Sequence, residues 1–309
     1  MSDPKSACDS VCAVLVTYHP DAGLPERVKR VQRQVGAVIV VDNGSSEPAA
    51  SMLRTLPQGP RLEVLYNGEN LGIATALNLG VRRAVARGFS WALLLDQDTM
   101  PDEDMVDTLL ATQASCTGGA APAVVGSRYR DTHGRAAEGL RLSREGALWE
   151  EMESVITSGS LVSLAAFAAI GAFRDDFFID HVDTEFCFRA RAAGYLVIET
   201  RRPTMAHTVG APSAHRVLWS TKWTTNHSPD RRYYIARNNS VMLREYGAAG
   251  VRSWRLKSLA RCFRLCKRIA LYESDKLPKI AAVAEGWWDA MRGHMGPRRK
   301  RRAASPHLS

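Results

Sequence analysis

Residues 91–102 read WALLLDQDTMPD. The apolar run up to Leu95 has the character of a buried strand. It ends in two carboxylates one residue apart, Asp96 and Asp98, with a third, Asp102, after a proline. Carboxylates repel one another and resist burial, so their convergence at a strand end calls for a compensating partner. A hard divalent cation such as Mg²⁺ would supply it, because that ion takes a few carboxylates together with phosphate oxygens. The other readings are a proton-transfer site and a solvated loop in which Asp102 starts a helix.

The residues on either side place this stretch in a sheet. VCAVLVTY (11–18), AVIVVDN (37–43) and RLEVLYN (61–67) are further apolar runs. Helical patterns follow at 24–35, after the second run, at 73–87, and beyond Pro101. Apolar strands alternating with amphipathic helices predict an α/β domain with a mostly parallel sheet covered on both faces. Ligands of such sheets lie beyond the C-terminal strand ends. Thr17 and Tyr18, Asp42 and Asn43, and Asp96 to Asp98 should therefore share one edge. The first run is not followed by GxGxxG, which argues against a dinucleotide site of the usual kind. Later strands are predicted at 121–129 and 155–163, with two short ones in YLVIET and PTMAHT, and the chain reads as largely helical from about 231.

Other chemistry-bearing residues have two readings each. Asp42 in DNGSS (42–46) either caps a tight turn or accepts the N3–H of a uracil or thymine. Asp180 and Asp183 in FFIDHVDTEF (177–186) suit a helix cap by spacing, or a general base that deprotonates a hydroxyl. His207 in AHTVG (206–210) is a structural imidazole or a metal ligand. In SPDRRYYIARNN (228–239), Arg231 or Arg232 could neutralise a diphosphate while the tyrosines pack on a sugar or base. Alternatively the segment is an amphipathic helix with exposed arginines. TSGSLVS (157–163) offers small residues, Ser158 and Gly159 among them, that let a substrate approach the backbone.

Composition narrows the class. The 309 residues suffice for a sizeable core, and the formal net charge is +9. From 251 to 309 there are 15 Lys and Arg against 4 Asp and Glu, a net +11, so the preceding 250 residues carry −2. The basic charge suggests nucleic acid, yet no nucleic-acid module accompanies it and the acidic strand-end edge opposes phosphate backbones. Six scattered cysteines, none in CxxC, predict reduced and mostly packed thiols. No run approaches the roughly 18 apolar residues of a membrane span. No secretory signal is visible, so a cytoplasmic location is expected.

Taken in order, VTYHPD, VVDNGSS, NGENLGIATALNLGV, LLLDQDTMPD, TSGSLVS, FFIDHVDTEFCFRARAAGY and HTVG resemble the inverting glycosyltransferases of family 2. The resemblance covers about residues 11–240. It implies a GT-A fold, a Rossmann-like sheet flanked by helices. The DQD triplet with FFIDHVDTEF and RRYYIARN is similar to rhamnosyltransferases that use dTDP-L-rhamnose. NHSPDRRYYIARN, DKLPK and WWDAMRG are nearest the rhamnolipid enzymes that add a second rhamnose.

By position, the resemblance makes Asp98 the main ligand of Mg²⁺ or Mn²⁺, helped by Asp96 and His207. Asp42 reads the base, and Thr17, Tyr18, Asn43, Asn70 and Gly72 surround the nucleoside. Asp96, Arg231 and Arg232 face the nucleotide sugar, while Ser158, Gly159 and His181 face the acceptor. Many relatives carry Glu-Asp before the helix; here Val182 replaces the Glu. Asp183 is thus the preferred base and Asp180 the second.

The implied function is transfer of L-rhamnose to a glycolipid hydroxyl, with mono-rhamnolipid as acceptor. The alternatives are an acceptor in O-antigen or other surface-polysaccharide synthesis, and a non-catalytic protein that binds a nucleotide sugar or nucleic acid. The expected organisation is a GT-A domain over 1–240, with a nucleotide-sugar part at 11–115 and an acceptor part at 116–240. A helical extension over 241–296 and a disordered basic tail over 297–309 follow. Residues 251–273 alternate basic and apolar positions at helical spacing. They either pack on the catalytic domain or lie against the anionic inner face of the membrane.

Overall fold

The computed structural model describes residues 7–117, 119–131, 148–207, 213–217, 220–224, 226–246 and 252–298. The chain forms two compact units that divide between Asn226 and His227.

In the first unit, strands β1 (Val11–Thr17), β2 (Ala37–Asp42), β3 (Leu62–Tyr66) and β4 (Trp91–Asp96) pair in parallel in the order β3-β2-β1-β4. Every residue of β1 and β2 is buried, which is why these strands read as unbroken apolar runs. Helices α1 (Leu24–Gln32), α2 (Ala49–Arg54), α3 (Ile73–Ala86) and α4 (Met105–Ala114) alternate with them. One face of the sheet, with Ala13, Leu15, Val38 and Leu93, shares a core with Leu24 and Val28 of α1 and Met105 and Leu109 of α4. On β1 and β2, α3 packs at Gly80, where a Cβ would stand 2.3 Å from Val14 Cγ1. Only glycine permits that approach.

The two-residue strand β5 (Met100–Pro101) precedes α4, and β6 (Pro122–Asp131), β7 (Trp149–Glu151), β8 (Ser160–Ser163) and β9 (Leu196–His207) complete the sheet. Its order is β3-β2-β1-β4-β8-β6-β9-β5, with β7 also on β9. β8 runs antiparallel between β4 and β6, whereas β6 and β9 are parallel. Helices α5 (Leu164–Ile170) and α6 (Val182–Ala192) follow β8, and a hairpin of β10 (Ser213–Val217) and β11 (Ser220–Thr224) closes the unit.

The expected strand at 155–163 is confined to Ser160–Ser163. The two short strands read in YLVIET and PTMAHT are one, β9, which carries Pro203 at a register shift against β6. Proline is tolerated in a strand at such an irregularity.

The second unit holds α7 (Pro229–Tyr246), α8 (Arg252–Tyr272) and α9 (Lys276–Arg292). The division lies before α7 rather than near residue 240, because α7 packs on α9. They approach closely at Gly286, where a Cβ would lie 2.4 Å from Tyr233 O. Cys8, Cys12, Cys116, Cys187 and Cys266 are in no disulfide, and burial pushes Cys12 and Cys187 up to about 12. Residues 299–309 of the anticipated disordered tail lie outside the described residues. Among the described residues, no helix is long and apolar enough to cross a membrane.

Glu273 organises the interior of this helical unit. It accepts from Arg232, and from Lys279 Nζ at 3.1 Å, with all three side chains at 4% exposure or less. Removing one partner from a buried ionic cluster leaves charge uncompensated, at a cost of about 3–5 kcal/mol. Glu273→Gln should lower the stability of the helical unit by that order in urea unfolding followed by circular dichroism. An unchanged midpoint would show that the cations find other partners.

Candidate active site at the strand ends

The parallel register determines what gathers at the carboxyl edge. Thr17 pairs with Asp42, Asp42 with Tyr66, and Val16 with Asp96. Four strand ends therefore deliver their polar residues side by side, those of β1, β2 and β4 as the spacing predicted.

Asp42 is buried and serves its own turn. Its carboxylate accepts the Ser45 N–H at 3.2 Å and the Ser45 hydroxyl at 2.5 Å. The same hydroxyl accepts the His19 N–H at 2.8 Å, so the loop after β1 and the turn after β2 are tied together. Asn43 joins the third loop: its amide donates to Asn70 Oδ1 at 3.0 Å, and its Oδ1 accepts from Asn67 and from the Leu71 N–H. Asn70 Oδ1 also accepts the Gly72 N–H at 3.0 Å. Asn43 and Asn70 thus act as loop braces. Tyr18 and Tyr66 are both 46% exposed at this edge. In the sequence Tyr66 reads only as the last residue of a strand; in the fold, burial followed by the Asp42 charge raises its phenol.

The triplet makes a turn in which the Thr99 N–H donates to Asp96 O at 3.2 Å. Asp98 is exposed and Asp96 is partly buried. The middle residue has a defined role: Gln97 Oε1 accepts the Tyr18 N–H at 2.7 Å, linking the triplet to the loop after β1. From below, Ser158 Oγ accepts the Asp96 N–H at 3.2 Å and bonds to the Thr99 hydroxyl. Ser158 is 1% exposed. Gly159, at φ +77°, is also buried, with a hypothetical Cβ 2.6 Å from Ser127 and 2.7 Å from Met205 Sδ. The expectation that Ser158 and Gly159 face an acceptor is corrected. They lie beneath the triplet and support it, because the antiparallel pairing of β8 with β4 carries this segment under the strand end.

Asp183 is in the first turn of α6. Its carboxylate accepts the Thr184 N–H at 2.7 Å and the Thr157 N–H. Burial pushes it above the ordinary aspartate range; those hydrogen bonds oppose the shift and the Asp180 charge adds to it. Apolar Val155, Phe173 and Phe186 line a small cavity at its side. The three-residue segment 157–159 thus touches Asp183 with one member and the triplet with the next.

Phe178, Asp180 and His181 all have φ between 63° and 66°, a conformation costly for non-glycine residues. His181 precedes α6 without a side-chain cap bond. The left-handed turn accordingly replaces the helix cap that the Asp180–Asp183 spacing suggested. This turn leans on the loop before α3: the Ile73 N–H donates to Phe178 O at 2.7 Å, and a Cβ on Gly72 would meet that same oxygen at 2.7 Å. Asn78, fully buried in α3, braces it by bonding Phe173 and Asp175. Glu185 is occupied in a bidentate pair with Arg189.

Three expectations meet different geometry. Asp102 does not cap α4 and pairs with Arg130 at 2.5 Å. Arg232 belongs to the second unit and is buried against Glu273, and Arg231 lies in the first turn of the same helix. Arg232 is therefore corrected from a diphosphate ligand to an interior ion-pair partner. Tyr233 and Tyr234 flank the buried Arg237, at 5.5 and 5.1 Å from ring centroids, instead of presenting their faces to a sugar. His207 ends β9, one residue beyond the Met100–Ala206 pair, so its backbone is at the level of the triplet turn. Its side chain lies outside the described ones. Among the described residues no group of three or more His, Cys, Asp or Glu is clustered to hold a metal.

Residues 12–171 match the family model described as glycosyl transferase family 2. The chain is 29% identical over 244 residues to the dTDP-rhamnosyl transferase RfbF of Shigella flexneri, covering 76% of this chain and 80% of that protein. The solved structure of S. aureus TarS 1-349 in complex with UDP-GlcNAc superposes with a TM-score of 0.60 at 13% identity, over 89% of this chain and 80% of that one. The mannosyltransferase PcManGT from Pyrobaculum calidifontis, solved with GDP-Man and Mn²⁺, gives 0.54 at 16% identity, over 92% and 90%. At these identities the two structures share the fold with this chain.

The Gln97 bond is open to direct test. Gln97→Leu removes the acceptor for the Tyr18 amide, a bond of about 1 kcal/mol net. Exchange at the Tyr18 amide should then rise about fivefold or more, as read by hydrogen–deuterium exchange. Unchanged protection would place the restraint on that loop elsewhere.

Proposed function

Because the chain belongs to glycosyl transferase family 2, with its GT-A fold, and is a glycosyltransferase, we propose that it transfers L-rhamnose from dTDP-L-rhamnose to a hydroxyl of a glycolipid, mono-rhamnolipid in particular. The observation that carries the chemistry is the arrangement around residues 157–159. One short segment joins a desolvated carboxylate, Asp183, to the Asp96–Asp98 turn at the strand ends. The rhamnosyl donor is supported by the likeness to the Shigella dTDP-rhamnosyl transferase. The acceptor is supported by the C-terminal fragments NHSPDRRYYIARN, DKLPK and WWDAMRG.

In this mechanism the acceptor hydroxyl gives its proton to Asp183 as its oxygen forms a bond to the rhamnose anomeric carbon. The bond from that carbon to the diphosphate oxygen breaks on the opposite face, and dTDP leaves with the electron pair. The raised pKa of Asp183 makes it a stronger base than an exposed aspartate, which suits proton abstraction near neutral pH. Asp42 and the loops bearing Tyr18 and Asn70 hold the thymidine. Asp96 and Asp98 offer hard oxygen donors at an exposed turn, a set that fits Mg²⁺ or Mn²⁺ with the remaining positions open to water and phosphate. When bound, such an ion neutralises charge on the leaving diphosphate.

Asp183→Asn should lower turnover by about a hundredfold to ten-thousandfold, the usual contribution of a general base, while leaving dTDP affinity within about twofold. The sign of the accompanying stability change follows from the raised pKa. An ionised, desolvated carboxylate costs stability at neutral pH, so its neutral isostere should unfold at the same temperature or higher. In the native enzyme kcat/KM should fall as pH drops through an inflection above the ordinary aspartate value. Normal turnover by the variant would remove Asp183 from the mechanism.

Incubation with dTDP-rhamnose and mono-rhamnolipid should add one deoxyhexose to the lipid by mass spectrometry. Release of dTDP with a surface-polysaccharide intermediate as acceptor, and none with mono-rhamnolipid, would retain the rhamnosyl donor and replace the acceptor.

A further inference from the structure

Helix α9 is apolar on two faces, and among the described residues only one of them is buried. Lys279, Ala282, Val283, Gly286 and Ala290 are buried toward the interior of the helical unit. On the other side Leu277, Ile280, Ala284, Trp287, Trp288 and Met291 recur at intervals of three and four and are all exposed. Leu277 is 81%, Met291 70% and Trp288 52% accessible. A helix that is apolar all round belongs in an environment that covers its second face.

Charge identifies that environment. Residues 227–309 hold 19 Lys and Arg against 6 Asp and Glu, a net +13, leaving −4 for the residues before them. Exposed Lys276 and Arg292 bracket the stripe, and α8 exposes Arg264, Lys267 and Arg268. The two acids within α9 are already matched. Glu285 pairs with Arg298, and Asp289 accepts the Tyr233 hydroxyl at 2.7 Å. A second copy of this chain would bring two strongly positive units together. An anionic lipid surface offers apolar depth for the stripe and negative charge for its flanks, and tryptophan is favoured at that boundary.

We propose that the exposed Leu277–Met291 face of α9 inserts into the interfacial region of an anionic lipid leaflet and is the segment by which this enzyme attaches to membranes. Residues 251–273, the segment singled out by charge, then serve as the electrostatic component, and α9 supplies the apolar one.

The test is co-sedimentation of the full chain with vesicles of phosphatidylcholine, with and without phosphatidylglycerol. The expected result is binding to the anionic vesicles only, weakened by salt. The triple variant Leu277→Ser, Trp288→Ser, Met291→Ser should bind at least about tenfold more weakly, because three apolar contacts are lost. These side chains face solvent, so its circular dichroism and unfolding temperature should match those of the unaltered chain. Met291→Asp alone supplies a milder second variant with the same expected direction. Absence of binding by the unaltered chain would overturn the proposal. So would equal binding by the variants, which would leave charge alone responsible. A dimer in light scattering that the triple variant converts to monomer would assign the stripe to a second copy. Vesicle binding is read without donor or acceptor, so its outcome is separate from that of the transfer assay.

Discussion

Four strands hydrogen-bonded in parallel and in register must present their carboxyl ends at one edge, and the chemistry of this protein follows from that constraint. Thr17, Asp42, Tyr66 and Asp96 become neighbours through backbone pairing alone, although they are spread over 80 residues of chain. Side chains then join the loops crosswise: Gln97 to the Tyr18 amide, Ser45 between Asp42 and His19, and Asn43 to Asn70. The edge is held by polar groups whose partners lie on different strands, so loosening one loop is felt by the next.

Beneath this edge the antiparallel strand β8 breaks the parallel pattern and brings Thr157, Ser158 and Gly159 under the end of β4. Ser158 holds the triplet turn and Thr157 holds Asp183, which ties a desolvated carboxylate and the Asp96–Asp98 turn to one short segment. The left-handed turn at Phe178–His181 costs conformational energy, and Asn78 together with the Gly72–Phe178 contact keeps it in place. Strain retained by several independent contacts is typical of sites where geometry matters more than stability.

The two units divide the electrostatic work. The first carries a slight negative charge with its carboxylates at the strand ends, whereas the helical unit is strongly basic. Arg244, Arg264, Lys267, Arg268, Lys276 and Arg292 are exposed, but the Arg232–Glu273–Lys279 cluster is interior. An arginine adjacent to tyrosines in sequence therefore gave no indication of its use, since its partner lies 41 residues further on.

Periodicity and spacing were enough to locate the first four strands, their helices, the shared edge and the residues at it. Buried parallel strands must be apolar throughout, and that leaves a plain trace in one dimension. The continuity of β9 was hidden because Pro203 looks like a break, and it survives at a register shift that exists only when β6 lies alongside. Ser158 and Gly159 looked like a permissive surface because small residues are ambiguous; burial under the triplet was decided by β8 pairing with β4. Likewise, WWDAMRG shows that α9 is apolar, but which of its faces is left exposed was settled by α7 occupying the other. Local composition reports what a residue tolerates, and the residues packed against it decide what it does.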